Sequence, residues 1–200
     1  MARRTFFSFH YEPDVSRAWV ARNSWVTKVA SGEREDAGFF DSSVFEAKER
    51  ESPEILKRFL REGLRNTTVT CVLVGARTTL RRWVRYEILQ SFIRGNGLLA
   101  VRVHSIRNLD NKIAERGGNP FDALAFRIDD DRVRFQEYFT TGWGDARDVG
   151  SMLIADVVYN LGSMDHHTFA CQFPIYEWDA DEGYKNLGTW IEEAAGFAGH

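Results

Sequence analysis

The stretch Thr68-Val69-Thr70-Cys71-Val72-Leu73-Val74-Gly75 limits the folds open to this chain more than any other. Its second half is an unbroken apolar run, which suits a central strand of a parallel sheet, covered on both faces. Thr5-Phe6-Phe7-Ser8-Phe9, Gly38-Phe39-Phe40-Asp41 and Leu98 to Val103 read as further strands. Helical spacing separates them. Val15, Trp19, Val26 and Val29 mark a first helix running from Pro13 to near Ala30. Ser52-Pro53-Glu54 is a cap followed by a proline and opens a second helix, with Ile55, Phe59, Leu60 and Leu64 inward and Asn66 as terminator. A third helix begins near Thr79 and stops at Gly95-Asn96-Gly97. This alternation predicts an α/β fold with an open, doubly wound, mainly parallel sheet. Ligands of such sheets gather at the carboxyl ends of the strands, here Phe9-His10, Asp41, Gly75-Ala76 and His104.

The third helix carries an anomaly. At about 100° per residue, Leu80, Val84, Ile88 and Ser91 share one face, and Glu87 falls within it, while Arg82, Arg85, Tyr86 and Gln90 point elsewhere. No basic residue stands three or four positions from Glu87, so no pair along the helix compensates its charge. Burying a lone carboxylate costs several kcal/mol or forces it to take up a proton. Two readings follow. Either an arginine from a distant segment pairs with Glu87, or the acid stands in a cleft that admits a ligand.

With 200 residues, 44% of them hydrophobic and 28% charged, the chain can bury one sizeable core. A net charge of -3 argues against nucleic acid or an anionic membrane as partner. No apolar run nears the roughly 20 residues of a membrane span. Cys71 and Cys171 match no metal spacing and read as buried thiols of a cytoplasmic protein. Beyond His104, Ala125 to Ile128 and Val133 to Gln136 read as a hairpin around the solvated turn Asp129-Asp130-Asp131-Arg132. Asp165-His166-His167 lacks a third ligand in register, so no metal is assigned. Phe173 to Trp178 reads as a late strand, and Gly183 to Ala195 as a closing helix with Leu187, Trp190 and Ile191 inward. The division expected is a core over 1–118 and an extension over 119–200, packed as one unit.

Arg4-Thr5-Phe6-Phe7-Ser8-Phe9-His10-Tyr11, Asn66 to Gly75 and Arg81-Arg82-Trp83-Val84-Arg85-Tyr86-Glu87-Ile88 together resemble the TIR domain. Asn119-Pro120-Phe121-Asp122 and Tyr176-Glu177-Trp178 narrow the resemblance to the TIR-like ThsB proteins of bacterial Thoeris anti-phage systems. The segment from Asn119 to Phe173 departs from a minimal TIR domain. The resemblance implies a flavodoxin-like fold and NAD+ as substrate rather than cofactor. Glu87 becomes the catalytic acid, because a Trp four residues before a Glu marks the TIR domains that cleave NAD; here the pair is Trp83 and Glu87. Ser8, Phe9, His10, Asp41 and Trp83 become substrate-binding candidates, and Ser42 to Glu51 a candidate lid, with Lys48 and Arg50 as cations for the pyrophosphate. The resemblance also implies a cyclic ADP-ribose isomer as second messenger, a phage trigger, and a separate effector reached by diffusion. Three alternatives stand beside this: an NAD+ hydrolase without cyclisation, a non-catalytic TIR module acting by self-association, and another flavodoxin-like enzyme that sets a carboxylate against a sugar.

Overall fold

A computed structural model of the protein describes residues 3–26, 52–161 and 166–200. The expected strand at Gly38 to Asp41 and the Ser42 to Glu51 loop lie outside those residues.

β1 (Thr5–Phe9), β2 (Val69–Val74), β3 (Gly97–Arg102) and β9 (Ile175–Glu177) form one parallel sheet in the order β1-β2-β3-β9. The expected central strand is thus flanked on both sides. Side chains alternate along it. Cys71 and Leu73 face α1 (Tyr11–Val26) and α4 (Gly183–Phe197), meeting Ala18, Ala21, Leu187 and Ile191. Val72 and Val74 face α3 (Arg82–Ile93) and meet Val84, Ile88 and Phe92. The closing segment therefore joins the parallel sheet: Tyr176 of β9 stacks flat on Trp190 of α4, centroids 4.1 Å apart.

A second, antiparallel sheet covers the far side of α3. Its order is β6 (Gly142–Asp145), β5 (Arg132–Phe139), β4 (Leu124–Asp129), β8 (His166–Thr168), with β7 (Met152–Leu153) also paired to β5. The expected hairpin is β4 and β5, and Asp130 turns it with φ 54°. Phe126, Val133 and Phe135 from this sheet, with Phe169 and Phe173, close over Phe92. α3 thus lies between two sheets, and its third side meets α2 (Pro53–Gly63), where Tyr86 packs against Leu56 and Leu60. Ser52 caps α2, its hydroxyl accepting from the Ile55 N–H at 3.2 Å.

The structure corrects several sequence expectations. α3 starts at Arg82 rather than Thr79, because Thr78–Leu80 closes as a separate 3-10 turn and leaves Leu80 exposed. Tyr86 does turn away from the Glu87 face, yet it is buried against α2. In α2, Leu56 is buried where Ile55 was expected to be. On α1, Trp19 is exposed, while Asp14, Arg17, Ala18 and Ala21 are buried. A buried arginine is tolerated there because its guanidinium donates to three carbonyls: Pro13 at 2.8 Å, Ile106 at 2.9 Å and Lys112 at 3.0 Å. Cys71 is buried as expected, with its thiol pushed up by burial, but Cys171 is exposed. No helix of the described residues is long and apolar enough to cross a membrane.

Candidate active site

Glu87 sits on the α3 face that meets the parallel sheet and is 6% exposed. Ser8 lies on the same side of β1, opposite Val72 in register, and its hydroxyl donates to Glu87 Oε2 at 2.5 Å. One turn further along α3 the pattern continues. Ser91 Oγ lies 2.7 Å from Thr70 Oγ1 of β2 and donates to the Glu87 carbonyl at 2.7 Å. A short polar seam therefore crosses an otherwise apolar interface. Of the two sequence readings of Glu87, the distant arginine is not found: among the described residues its carboxylate meets a hydroxyl and no cation. Burial pushes the Glu87 carboxyl up to about 8, against the opposing pull of the Ser8 hydrogen bond.

The carboxyl ends of β1 and β2 open into a cleft of about 440 Å³ lined by His10, Glu12, Pro13, Ala76, Arg77 and Arg81. His10 follows Ser8 by two residues, so β1 runs from the Glu87 contact directly into the cleft wall. Burial, then Arg81, holds the His10 imidazole down at about 4; Arg77 adds to this and Glu12 opposes it. His10 is therefore neutral at physiological pH, and its buried Nδ1 has no partner among the described residues. Beside the cleft, Asp14 is 1% exposed, and its carboxyl presses on the Gly75 backbone so closely that a Cβ there would lie 2.0 Å from Oδ2. Burial pushes Asp14 up to about 6, with Arg17 opposing from 3.6 Å.

The sequence candidates thus separate. Ser8 and Glu87 touch, and His10 lines the cleft. Phe9 points to the opposite face of the sheet, in the core under α1 and α4, and stacks with Tyr11 at 5.8 Å. Trp83 turns toward α2, edge-on to Tyr86 at 5.9 Å and under the Arg82 guanidinium at 4.6 Å. Asp41, Lys48 and Arg50 lie outside the described residues. Sequence reasoning passed over Arg77 and Arg81. The available signal was two cations in the turn directly after the glycine that ends the central strand.

An open parallel sheet with helices on both faces, carrying a buried acid on α3 next to the strand ends, is the architecture of a flavodoxin-like TIR domain. The chain matches the family described as "Thoeris protein ThsB, TIR-like domain" over residues 6–108. It is 36% identical over 194 residues to a Bacillus cereus (strain MSX-D12) protein named "Putative cyclic ADP-D-ribose synthase ThsB1", covering 96% of this chain and 100% of that protein. The chain belongs to the ThsB TIR-like family of Thoeris.

Proposed function

We propose that this protein cleaves NAD+ at the bond between nicotinamide and ribose and joins the freed ribose carbon to a hydroxyl of the same molecule, giving a cyclic ADP-ribose isomer. The observation that carries the reading is the buried Glu87, paired among the described residues only with Ser8 at the sheet's ligand edge, in a chain so like a protein named as a cyclic ADP-D-ribose synthase. As the bond breaks, its electron pair leaves with nicotinamide, which becomes neutral. Positive charge builds on the ribose, as in glycoside hydrolysis. An ionised Glu87 stabilises that charge more than it stabilises the bound substrate, which is the condition for catalysis. Attack by an internal hydroxyl closes the ring and releases one proton, for which the carboxylate is a ready acceptor. The product leaves by diffusion and acts on a separate effector in the cytoplasm during phage infection.

The test is to incubate the purified protein, or lysate of infected cells expressing it, with NAD+ and weigh the products. A product with the mass of NAD+ less nicotinamide, with no water gained, is expected. ADP-ribose alone would replace the cyclase reading with a hydrolase one. No nicotinamide release from either source would sink the enzyme reading. Protein-free filtrate from infected cells should activate the effector; resistance without such activity would refute the diffusible signal.

A further inference from the structure

The cleft at the ends of β1 and β2 is lined by two guanidiniums that the Glu87 chemistry does not use. Arg77 and Arg81 are both exposed, and neither has an ion-pair partner among the described residues. The backbone that carries them is nonetheless fixed. The turn that carries them is pinned at four points: the Gly75 N–H donates to Thr78 Oγ1 at 2.9 Å, Thr79 Oγ1 to the Gly118 carbonyl at 2.9 Å, the Arg81 N–H to the Thr78 carbonyl at 3.0 Å, and Arg85 Nε to the Thr79 carbonyl at 3.0 Å. Both cations act on His10, and among the described residues that line the cleft Glu12 is the one carboxylate. A cleft of this size is within the range of small-molecule sites, roughly 300–1,000 Å³.

We propose that Arg77 and Arg81 grip the diphosphate of a dinucleotide, and that the unpartnered Nδ1 of His10 forms a hydrogen bond beside it. The proposal rests on the NAD+ reading and specifies how the substrate is held. Two guanidiniums match a diphosphate in charge and in bidentate geometry, which a lysine would match in charge alone. The cleft wall at His10 is two residues along β1 from Ser8, whose hydroxyl holds Glu87, so a diphosphate bound here lies next to the strand that carries the acid's partner. The grip lies away from the bond that breaks, so it contributes binding energy and orientation rather than charge at the reacting carbon.

The experiment titrates ADP-ribose, which keeps the diphosphate but has no nicotinamide to lose, into the full chain by calorimetry. The proteins are wild type, Arg77→Gln, Arg81→Gln, Arg81→Lys and Arg65→Gln. Arg65 precedes β2 at the opposite edge of the sheet and controls for lost charge. Each glutamine variant in the cleft should weaken binding about tenfold or more, Arg81→Lys should fall between, and Arg65→Gln should change it less than about twofold. Melting temperatures should be unchanged, because both cleft arginines are exposed. No binding by the wild type, unchanged affinity in the cleft variants, or an equal loss in Arg65→Gln would each overturn the proposal. Nicotinamide release by the wild type is scored separately, so the diphosphate assignment can fail while the NAD+ reading stands.

Discussion

On the side of α3 that meets the antiparallel sheet, Phe92 touches Phe126, Phe135, Tyr159, Phe169 and Phe173, with ring centroids 4.6 to 6.2 Å away. On the side that meets β1, Glu87 has one hydroxyl and no counter-ion among the described residues. The helix axis is shared, and so is the degree of burial. The first side has the dense, directionless packing that stabilises a core. The second holds a group whose burial opposes folding. An acid can be kept dry in this way because the rest of the helix is fixed by contacts that do not depend on it. The arginines on α3 add to that anchoring. Arg82 forms a two-point pair with Asp148 at 2.7 Å, and Arg85 lies 3.6 Å from Glu137, tying the helix to the added layer. Arg82, and with it Lys57 at 2.8 Å, holds the Asp148 carboxyl down at about 2.

The comparison breaks most severely at Phe92. Phe92→Ala removes the ring at the centre of the aromatic cluster and should cost about 3–5 kcal/mol of stability in denaturant titrations. A loss under about 1 kcal/mol would show that the antiparallel layer does not anchor α3. Next comes Glu87→Gln, with a rate loss of about a hundredfold or more in nicotinamide release. Its stability should move the other way. The folded-state pKa of Glu87, about 8, lies above the ordinary glutamate value of 4.5, so the stability this carboxyl contributes is complete below 4.5 and is lost as pH rises through about 8. Glutamine escapes that loss. Thermal melts of Glu87→Gln should therefore be no lower than wild type at pH 6 and higher at pH 8; a lower melt at pH 8 would mean that the carboxylate is paired after all.

The smallest effect is the most diagnostic. Ser8→Ala removes the hydrogen bond that, among the described residues, favours ionised Glu87 and should cost about 1 kcal/mol or less of stability. In wild type, kcat/KM should rise with pH through a limb near 8 as Glu87 ionises. In Ser8→Ala that limb should move to higher pH. An unmoved limb would assign it to another group.

Much of this was legible in the residues. The unbroken run at Val72-Leu73-Val74 announced a strand covered on both faces, and the observed sheet flanks it on both sides. Ser8 and Glu87 each stood out, one at a strand end and one on an apolar helix face. Their contact spans 79 positions, and periodicity carries no information across such a distance. Leu80 misled because the helical spacing runs smoothly back through a turn that the backbone closes separately at Thr78–Leu80. Trp19 misled because a large apolar residue was expected inward, while the true inner face of α1 holds Asp14 and Arg17, and Arg17 donates to backbone carbonyls 89 and 95 positions away. The residues alone gave Arg77 and Arg81 no role in a site; only the folded turn sets them over a cleft.

Gly75 has two close neighbours. Asp14 presses on it from one side, and a Cβ added at Gly117 would come within 2.0 Å of its carbonyl oxygen. A substitution at either glycine adds a Cβ, and at Gly117, where the atom met is backbone, variation is closed on steric grounds. The exposed rim a few residues on, at Ala76, Arg77 and Arg81, carries no such constraint. The chemistry of that rim can therefore change by substitution, while the close approach of Gly75 and Gly117 stays a fixed point beneath it.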